Sequence, residues 1–461
     1  MDVSSVKVIM TRMRRTALVW ILLSCGISIL WGSLIAWTAT GWPDFKAVYY
    51  GTRCLIQDRD PYKEVELQRV YRAEGGELPS NSTASRSFGP AVFDCINLPT
   101  ALLSVAPFAM LDWGLAHVLW TVFTAGSLIL GAFLMWDFGA NYTPVLSGVL
   151  ICFVLANTEK IFATGNTSGI AVGLCMVAVW CFIKQKFVWA GILCLAVSLA
   201  IKPHDAGLIW LYFLLAGGIY RKRALQTLLV TAVLAALALL WVAPIAPHWM
   251  QELHSNILVD QLPGGLNNPG LASANMRTPD HVIDLQTVIS VFRDDPRIYN
   301  PVSYVVCGAL LLVWLVGTLR LSFSQRRAWL ALAAIAALAM LPVYHRDHDA
   351  KLLLLTVPAC AMLWAGGRPI RWVALLMTTA GFIFTADIPS AILTILTNNL
   401  HISIAGLSGQ ILTAVVMRPT PLILLAMGIF YLWVYVRHDP AQPLLAEPGE
   451  LGETPPAPTA A

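Results

Sequence analysis

Four short stretches hold the residues of this 461-residue chain that could do chemistry. The first is Gly41-Trp42-Pro43-Asp44-Phe45-Lys46-Ala47-Val48-Tyr49-Tyr50. A carboxylate at the water edge of a bilayer is placed to act as a general base, because partial burial raises its pKa towards working pH. The same residue type also caps helices well. In the second, Ser198-Leu199-Ala200-Ile201-Lys202-Pro203-His204-Asp205, a proline breaks the helix beside an ammonium and an imidazole. Charge at membrane depth is costly and usually has a purpose, here an anion site, although a lysine at a helix end also snorkels to water. The third, Pro342-Val343-Tyr344-His345-Arg346-Asp347-His348-Asp349, crowds ionisable side chains between two apolar runs. Arginine grips phosphate oxygens bidentately and histidine donates to the same group, while a solvated loop would explain part of the pattern. The fourth, Thr164-Gly165-Asn166-Thr167-Ser168-Gly169, combines close backbone approach with a helix N-terminus that favours an anion or a sugar hydroxyl. Gly-Asn-Thr is also ordinary turn chemistry.

The elements that must position these residues are apolar. Hydrophobic residues make up 57% of the chain and charged ones 12%, against about a quarter in soluble domains, and mean hydropathy is +0.68. This excludes a soluble enzyme, a disordered scaffold and a nucleic-acid binder. The net charge of +4 comes without a basic cluster dense enough for a phosphate backbone. Apolar runs near 17–40, 96–111, 114–136, 143–157, 168–183, 187–200, 206–220, 224–243, 301–320, 328–341, 351–366, 370–386 and 410–436 are candidate crossings.

Short basic connections at Lys184/Lys186, Arg221/Lys222/Arg223, Arg320/Arg326/Arg327 and Arg368/Arg371 should be cytoplasmic, like the N-terminal Arg12, Arg14 and Arg15. They agree only if one early run does not cross. The run 96–111, interrupted by Pro99 and Pro107, is the one expected to lie in the outer interface. The expected architecture is therefore an all-α polytopic membrane protein. Residues 1–16 form a cytoplasmic N-terminus, 17–437 a domain of about twelve spans, and 438–461 a disordered cytoplasmic tail. Outward segments are 41–113, with interfacial helices after the first span, 158–167, 201–205, 244–300, 342–350 and 387–409, so all four stretches fall on one side. Residues 282–290 read as a short amphipathic helix. Most of the nine cysteines sit in apolar runs. Cys54 and Cys95 share the long outward segment, where a disulfide would be allowed, but spacing cannot fix pairing. No Cys/His spacing suggests a metal.

The order of these motifs resembles glycosyltransferase family 87, a branch of the GT-C superfamily of polyprenyl-phosphate-sugar-dependent membrane transferases. It comprises a first helix, Asp44-Phe45 followed by Tyr49-Tyr50, then Arg59-Asp60-Pro61-Tyr62, Gly165-Asn166 and Ala200-Ile201-Lys202-Pro203. The resemblance runs over roughly residues 15 to 435. It implies a GT-C-like fold, Asp44 as catalytic base, and Lys202 with Pro203 at the donor phosphate. Asn166 stands where the family usually has Gln, and Tyr344 to Asp349 replace a Trp-x-His-His type segment, so His345 and Arg346 carry over as donor-phosphate residues. Tyr49, Tyr50, Gly165, Asn166, His204, His348 and Asp349 are candidate substrate-binding residues. The implied reaction is inverting transfer of a hexose, most often mannose, from a polyprenyl monophosphate to a hydroxyl of a lipid-linked or envelope glycan. Neither a nucleotide nor any other cofactor is implied, and cationic ligands on the leaving phosphate remove the need for a metal. The implied setting is the outer face of a bacterial cytoplasmic membrane. A transporter or flippase of a lipid-linked sugar would share the hydrophobicity and broken helices, but would carry its polar groups near the midplane.

Overall fold

The computed structural model describes residues 3–37, 41–76, 94–263, 265, 267–271, 282–367, 369–399 and 406–437. Most of these residues are helical. It opens with α1 (Val3–Ile35), followed by α2 (Pro43–Ile56), α3 (Glu64–Ala73) and α4 (Pro99–Ala109). Next come α5 (Trp113–Ala140), α6 (Pro144–Leu155), α7 (Glu159–Thr164), α8 (Ser168–Lys184), α9 (Val188–Ile201), α10 (Pro203–Leu215) and α11 (Gly218–Ile245). After α12 (Trp249–Gln261) and α13 (Leu285–Phe292), α14 (Pro296–Arg320) and α15 (Gln325–Leu338) lead to a 3-10 helix, Asp349–Thr356, that runs into α16 (Val357–Ala365). Last are α17 (Ile370–Phe384), α18 (Asp387–Asn399), α19 (Gly406–Leu412), a π segment Thr413–Met417, and α20 (Pro419–Arg437). Among the described residues the extended pairing is one isolated antiparallel bridge, Val282 with Arg346.

Among the described residues, six helical stretches are long and apolar enough to cross a membrane: 11–35, 113–140, 144–164, 218–245, 296–320 and 419–437. Their outward faces carry large apolar side chains such as Leu229 (66% exposed) and Leu240 (74%) on α11, as lipid-facing helices do. Inside, α8 packs against α5 and α9, and α15 against α20. Residues 328–338 of α15 are all buried, so that helix is a core element despite its 14 residues.

Several helices are shorter than the apolar runs suggested. Positions 351–366 divide into the 3-10 helix and α16, and 410–436 breaks at Arg418, which donates to the Pro269, Gly270 and Thr287 carbonyls and to Ser290 Oγ. The N-terminal segment and the first span share one continuous helix, α1, from Val3 onward. The 96–111 run contains α4, whose 11 residues rise about 16 Å, well short of the hydrocarbon thickness. The amphipathic stretch near 282–290 is α13, capped by Asp284, which accepts from Thr287 N at 3.0 Å. All nine cysteines, Cys54 and Cys95 included, are free thiols. The expected disordered tail, 438–461, lies outside the described residues.

The two ends of the bundle differ in charge. Arg14 of α1 pairs with Asp137 near the end of α5 at 2.8 Å, and Lys184 at the end of α8 stands 3.9 Å from the same carboxylate. The N-terminal arginines and the Lys184 connection thus share one end. The opposite ends of α8, α9 and α15 carry Ser168, Lys202 and the 342–349 segment.

Candidate active site

Two backbone features bring α2 to the turn before α8. Trp42, in the left-handed region at φ 59°, is the N-cap of α2, so Pro43 and Asp44 take its first two positions and Asp44 is not a capping residue. Gly165 ends α7 at φ +68°, a conformation that favours glycine. A Cβ there would stand 2.6 Å from Phe45 Cβ. The Phe45 ring stacks on Trp120 at 4.7 Å, and Trp120 Nε1 donates to the Gly165 carbonyl at 2.8 Å. This close approach sets Asn166 against Asp44, with Asn166 Nδ2 donating to Asp44 Oδ2 at 2.6 Å.

From Asn166 the polar groups continue inward. Asn166 Oδ1 accepts from Ser168 N at 2.9 Å and lies 2.6 Å from Ser168 Oγ. Ser168 Oγ also contacts Asp349 Oδ1 and accepts from Lys202 Nζ. With one hydroxyl proton, Ser168 donates to Asn166 or to Asp349, one at a time. Lys202, between α9 and α10, is paired directly with Asp349 and stands 3.9 Å from Asp205. It does not snorkel. Burial would push the ammonium pKa down, but Asp349, Asp205 and then Asp44 outweigh this and leave it raised. Burial likewise works against the Asp349 carboxylate, yet Lys202 and the surrounding histidines hold its pKa well below the ordinary value.

The 342–349 segment is fixed from both sides and is not a solvated loop. Ile283 N donates to the His345 carbonyl at 2.9 Å, Leu285 N to Leu341 O at 3.0 Å and Gln286 Nε2 to Pro342 O at 3.1 Å. Asp349 closes the turn by accepting from Arg346 N at 2.9 Å. His345 is fully buried, with Nδ1 2.9 Å from the Val343 carbonyl and Nε2 3.6 Å from Asp205 Oδ1. The His204 ring meets the His345 ring edge-on at 4.9 Å, and its Nε2 stands 3.7 Å from the same Asp205 oxygen. Burial lowers the pKa of both imidazoles. Burial, and next the charge on Asp349, push that of Asp205 up.

Asp44, Gly165, Asn166, Lys202, His204, His345 and Asp349 therefore meet in one place, with His348 Nε2 3.7 Å from Asp349. Arg346 joins through its backbone, while its guanidinium donates to Asn267 Oδ1 at 3.1 Å and lies over the Tyr344 ring. Tyr49 and Tyr50 do not join. The Tyr49 hydroxyl donates to the Leu111 carbonyl at 2.7 Å, and Tyr50 stacks on Trp113 and meets Tyr71 edge-on. Most of α2 is buried against these aromatics, where its polar look suggested a helix lying on the membrane.

Other participants carried weaker sequence signals. Ser168 and Asp205 lie inside motifs already noted, but only the fold shows them bridging or facing Lys202. Behind the site, Lys160 pairs with Asp347 at 2.8 Å, and its backbone N–H donates to Asp387 at 2.8 Å. Lys351 stands 3.5 Å from Asp387 and donates to the Asn157 and Thr385 carbonyls. A lone lysine in the 351–366 run was the available signal for that second network.

No curated protein and no solved structure matches the chain. The family profile of glycosyltransferase family 87 matches residues 96–344, a span holding Gly165, Asn166, Ser168, Lys202, Asp205 and the helices that carry them. The chain is a membrane protein of glycosyltransferase family 87.

Proposed function

We propose that the protein transfers a hexosyl group, most often mannose in the resembled family, from a polyprenyl monophosphate to a hydroxyl of a lipid-linked or envelope glycan. The observation that carries this reading is the connected path from Asp44 through Asn166 and Ser168 to the buried Lys202. A carboxylate and an ammonium thus stand at the two ends of one hydrogen-bonded path. Asp44 takes the acceptor hydroxyl proton as the acceptor oxygen bonds to the anomeric carbon. The bond from that carbon to the phosphate oxygen breaks with its electron pair on the phosphate, and configuration inverts.

Of the three Lys202 ammonium hydrogens, Asp349 and Ser168 take two, so one remains for a phosphate oxygen. Electrostatic stabilisation of the leaving group is commonly a large term. Arg346 supplies a further positive group, and His345 helps to hold the segment that carries it. Asn166 orients Asp44, Asp349 holds Lys202, and His204 and His348 are substrate-binding candidates beside them. Tyr49 and Tyr50 act through the packing of α2. The fold in this reading is GT-C-like, with the shorter helices adding to the six long ones to give about twelve crossings, and the site at the membrane face opposite the basic connections. That face is the periplasmic or extracellular one of a bacterial cytoplasmic membrane.

The test is a screen of radiolabelled polyprenyl-phosphate hexoses with purified protein and native lipid extract. Label passing to a new lipid or glycan product supports transfer and names the sugar. Label that crosses the bilayer of proteoliposomes with the donor intact overturns it in favour of a flippase.

A further inference from the structure

Three potential ligand atoms converge at the start of α10. His204 offers Nε2, Asp205 a carboxylate oxygen and His345 Nε2, all within 4.8 Å of one another. Asp205 is 1% exposed and His345 0%. Among the described residues neither Asp205 oxygen, nor His204 Nε2, nor His345 Nε2 has a hydrogen-bond partner. Buried polar atoms are nearly always satisfied, so four such atoms around one point call for a ligand.

The His345 ring shows which kind. Its Nδ1 faces the Val343 carbonyl at 2.9 Å and must carry a proton to bond it. In a neutral ring Nε2 is then a lone pair, and it points at a carboxylate oxygen 3.6 Å away. Two lone-pair atoms facing each other in a dry site need either a proton or a metal ion between them. Histidines that bind metals characteristically donate the other ring N–H to a backbone carbonyl, as His345 does. We propose that His204 Nε2, the Asp205 carboxylate and His345 Nε2 form a binding site for a divalent transition-metal ion of the zinc type.

Two imidazoles with one carboxylate suit zinc and its neighbours, whereas magnesium and calcium favour oxygen-only sets. In a tetrahedral site with bonds near 2.0–2.1 Å, ligand atoms stand about 3.4 Å apart. The 3.6 and 3.7 Å separations from Asp205 Oδ1 are close to that. The neighbouring Lys202 does not forbid a cation, because Asp349 in direct contact offsets its charge, and metal binding would itself displace a proton from Asp205. Three protein ligands leave one tetrahedral position for water or a substrate oxygen. The site also ties α10 to the 342–349 segment. It goes beyond the transferase reading and does not rest on it.

The experiment uses the full chain without a histidine tag, purified in nanodiscs without chelator. Metal content is measured by mass spectrometry. The protein is then stripped with chelator and titrated with Co²⁺, followed by ligand-field absorption, and with Zn²⁺, followed by thermal unfolding. About one tightly held ion per chain, an absorption typical of low coordination number and a raised unfolding temperature are expected. Asp205→Asn and His204→Gln should each weaken Co²⁺ binding at least about tenfold. His204 is the safer variant, since its side chain is a third exposed (34%). Failure of the unaltered chain to take up either ion, or unchanged affinity in both variants, overturns the proposal. Uptake is read without sugar donor, so its failure leaves the transferase reading standing. Lack of transfer by metal-loaded protein counts only against that reading.

Discussion

Asn166 Nδ2 donates to Asp44 Oδ2 across 2.6 Å, joining the first turn of α2 to the turn that opens α8. The contact costs the chain a glycine at φ +68° and a phenylalanine pressed against it. Such geometry is held where orientation of one side chain matters.

Asp44→Asn should abolish transfer while leaving the fold intact, because the amide keeps an oxygen for Asn166 but cannot take a proton. Loss of a general base costs about a hundredfold or more. Turnover with the labelled donor, set against an unchanged unfolding temperature, is the measurement. Retained turnover would remove Asp44 as the base.

Gly165→Ala should lower both stability and turnover. The new methyl meets Phe45 Cβ at 2.6 Å and the backbone stays in the left-handed region. A cost of about 1–3 kcal/mol is expected, read as a lower unfolding temperature. Unchanged unfolding would mean that the Phe45 contact yields without strain.

The residues behind these two predictions were largely visible in the sequence, and the reason is physical. In a chain with 12% charged residues, each polar group inside apolar sequence is conspicuous, so Asp44, Lys202 and the 342–349 segment stood out. Their convergence also follows from basic connections at the opposite helix ends. What could not be read was tertiary. Asp205 looked like an ordinary residue after a helix-breaking proline, and its meeting with His204 and His345 depends on 282–286 zipping onto 341–346. Lys351 and Arg418 were lone charges in long apolar runs, yet their partners, Asp387 and the 269–290 carbonyls, are distant in sequence. Span boundaries failed for a related reason, since hydropathy does not register a 3-10 helix at 349–356 or a break at Arg418.

Lys202→Ala should both weaken donor binding and destabilise the protein, because it leaves the Asp349 carboxylate buried without its cation. The double variant Lys202→Ala with Asp349→Asn should recover much of the stability but none of the donor affinity. Donor affinity by filter binding and unfolding temperature separate the two roles. Unaltered donor affinity in the single variant would leave Lys202 a purely structural cation.

Lys351→Met should destabilise by about 3–5 kcal/mol, the range for breaking a buried ion pair, since both Lys351 and Asp387 are 2% exposed. Adding Asp387→Leu should recover most of that loss, as measured by thermal unfolding in detergent. No recovery would show that the lysine acts through its bonds to Asn157 and Thr385 alone.

The length of α8 has a consequence for how a lipid substrate arrives. Its 17 residues rise about 25 Å, and the 14 of α9 about 21 Å, against a hydrocarbon layer of about 30 Å. In the proposed orientation, helices that start at headgroup level beside Lys184 would run out before the opposite boundary, leaving Ser168 and Lys202 short of the far headgroups. The polyprenyl phosphate of the proposed reaction would then enter sideways, its chain still dissolved in the leaflet and its phosphate drawn inward. An acceptor hydroxyl reaching Asp44 would then approach from the other end of the hydrogen-bonded path that ends at Lys202.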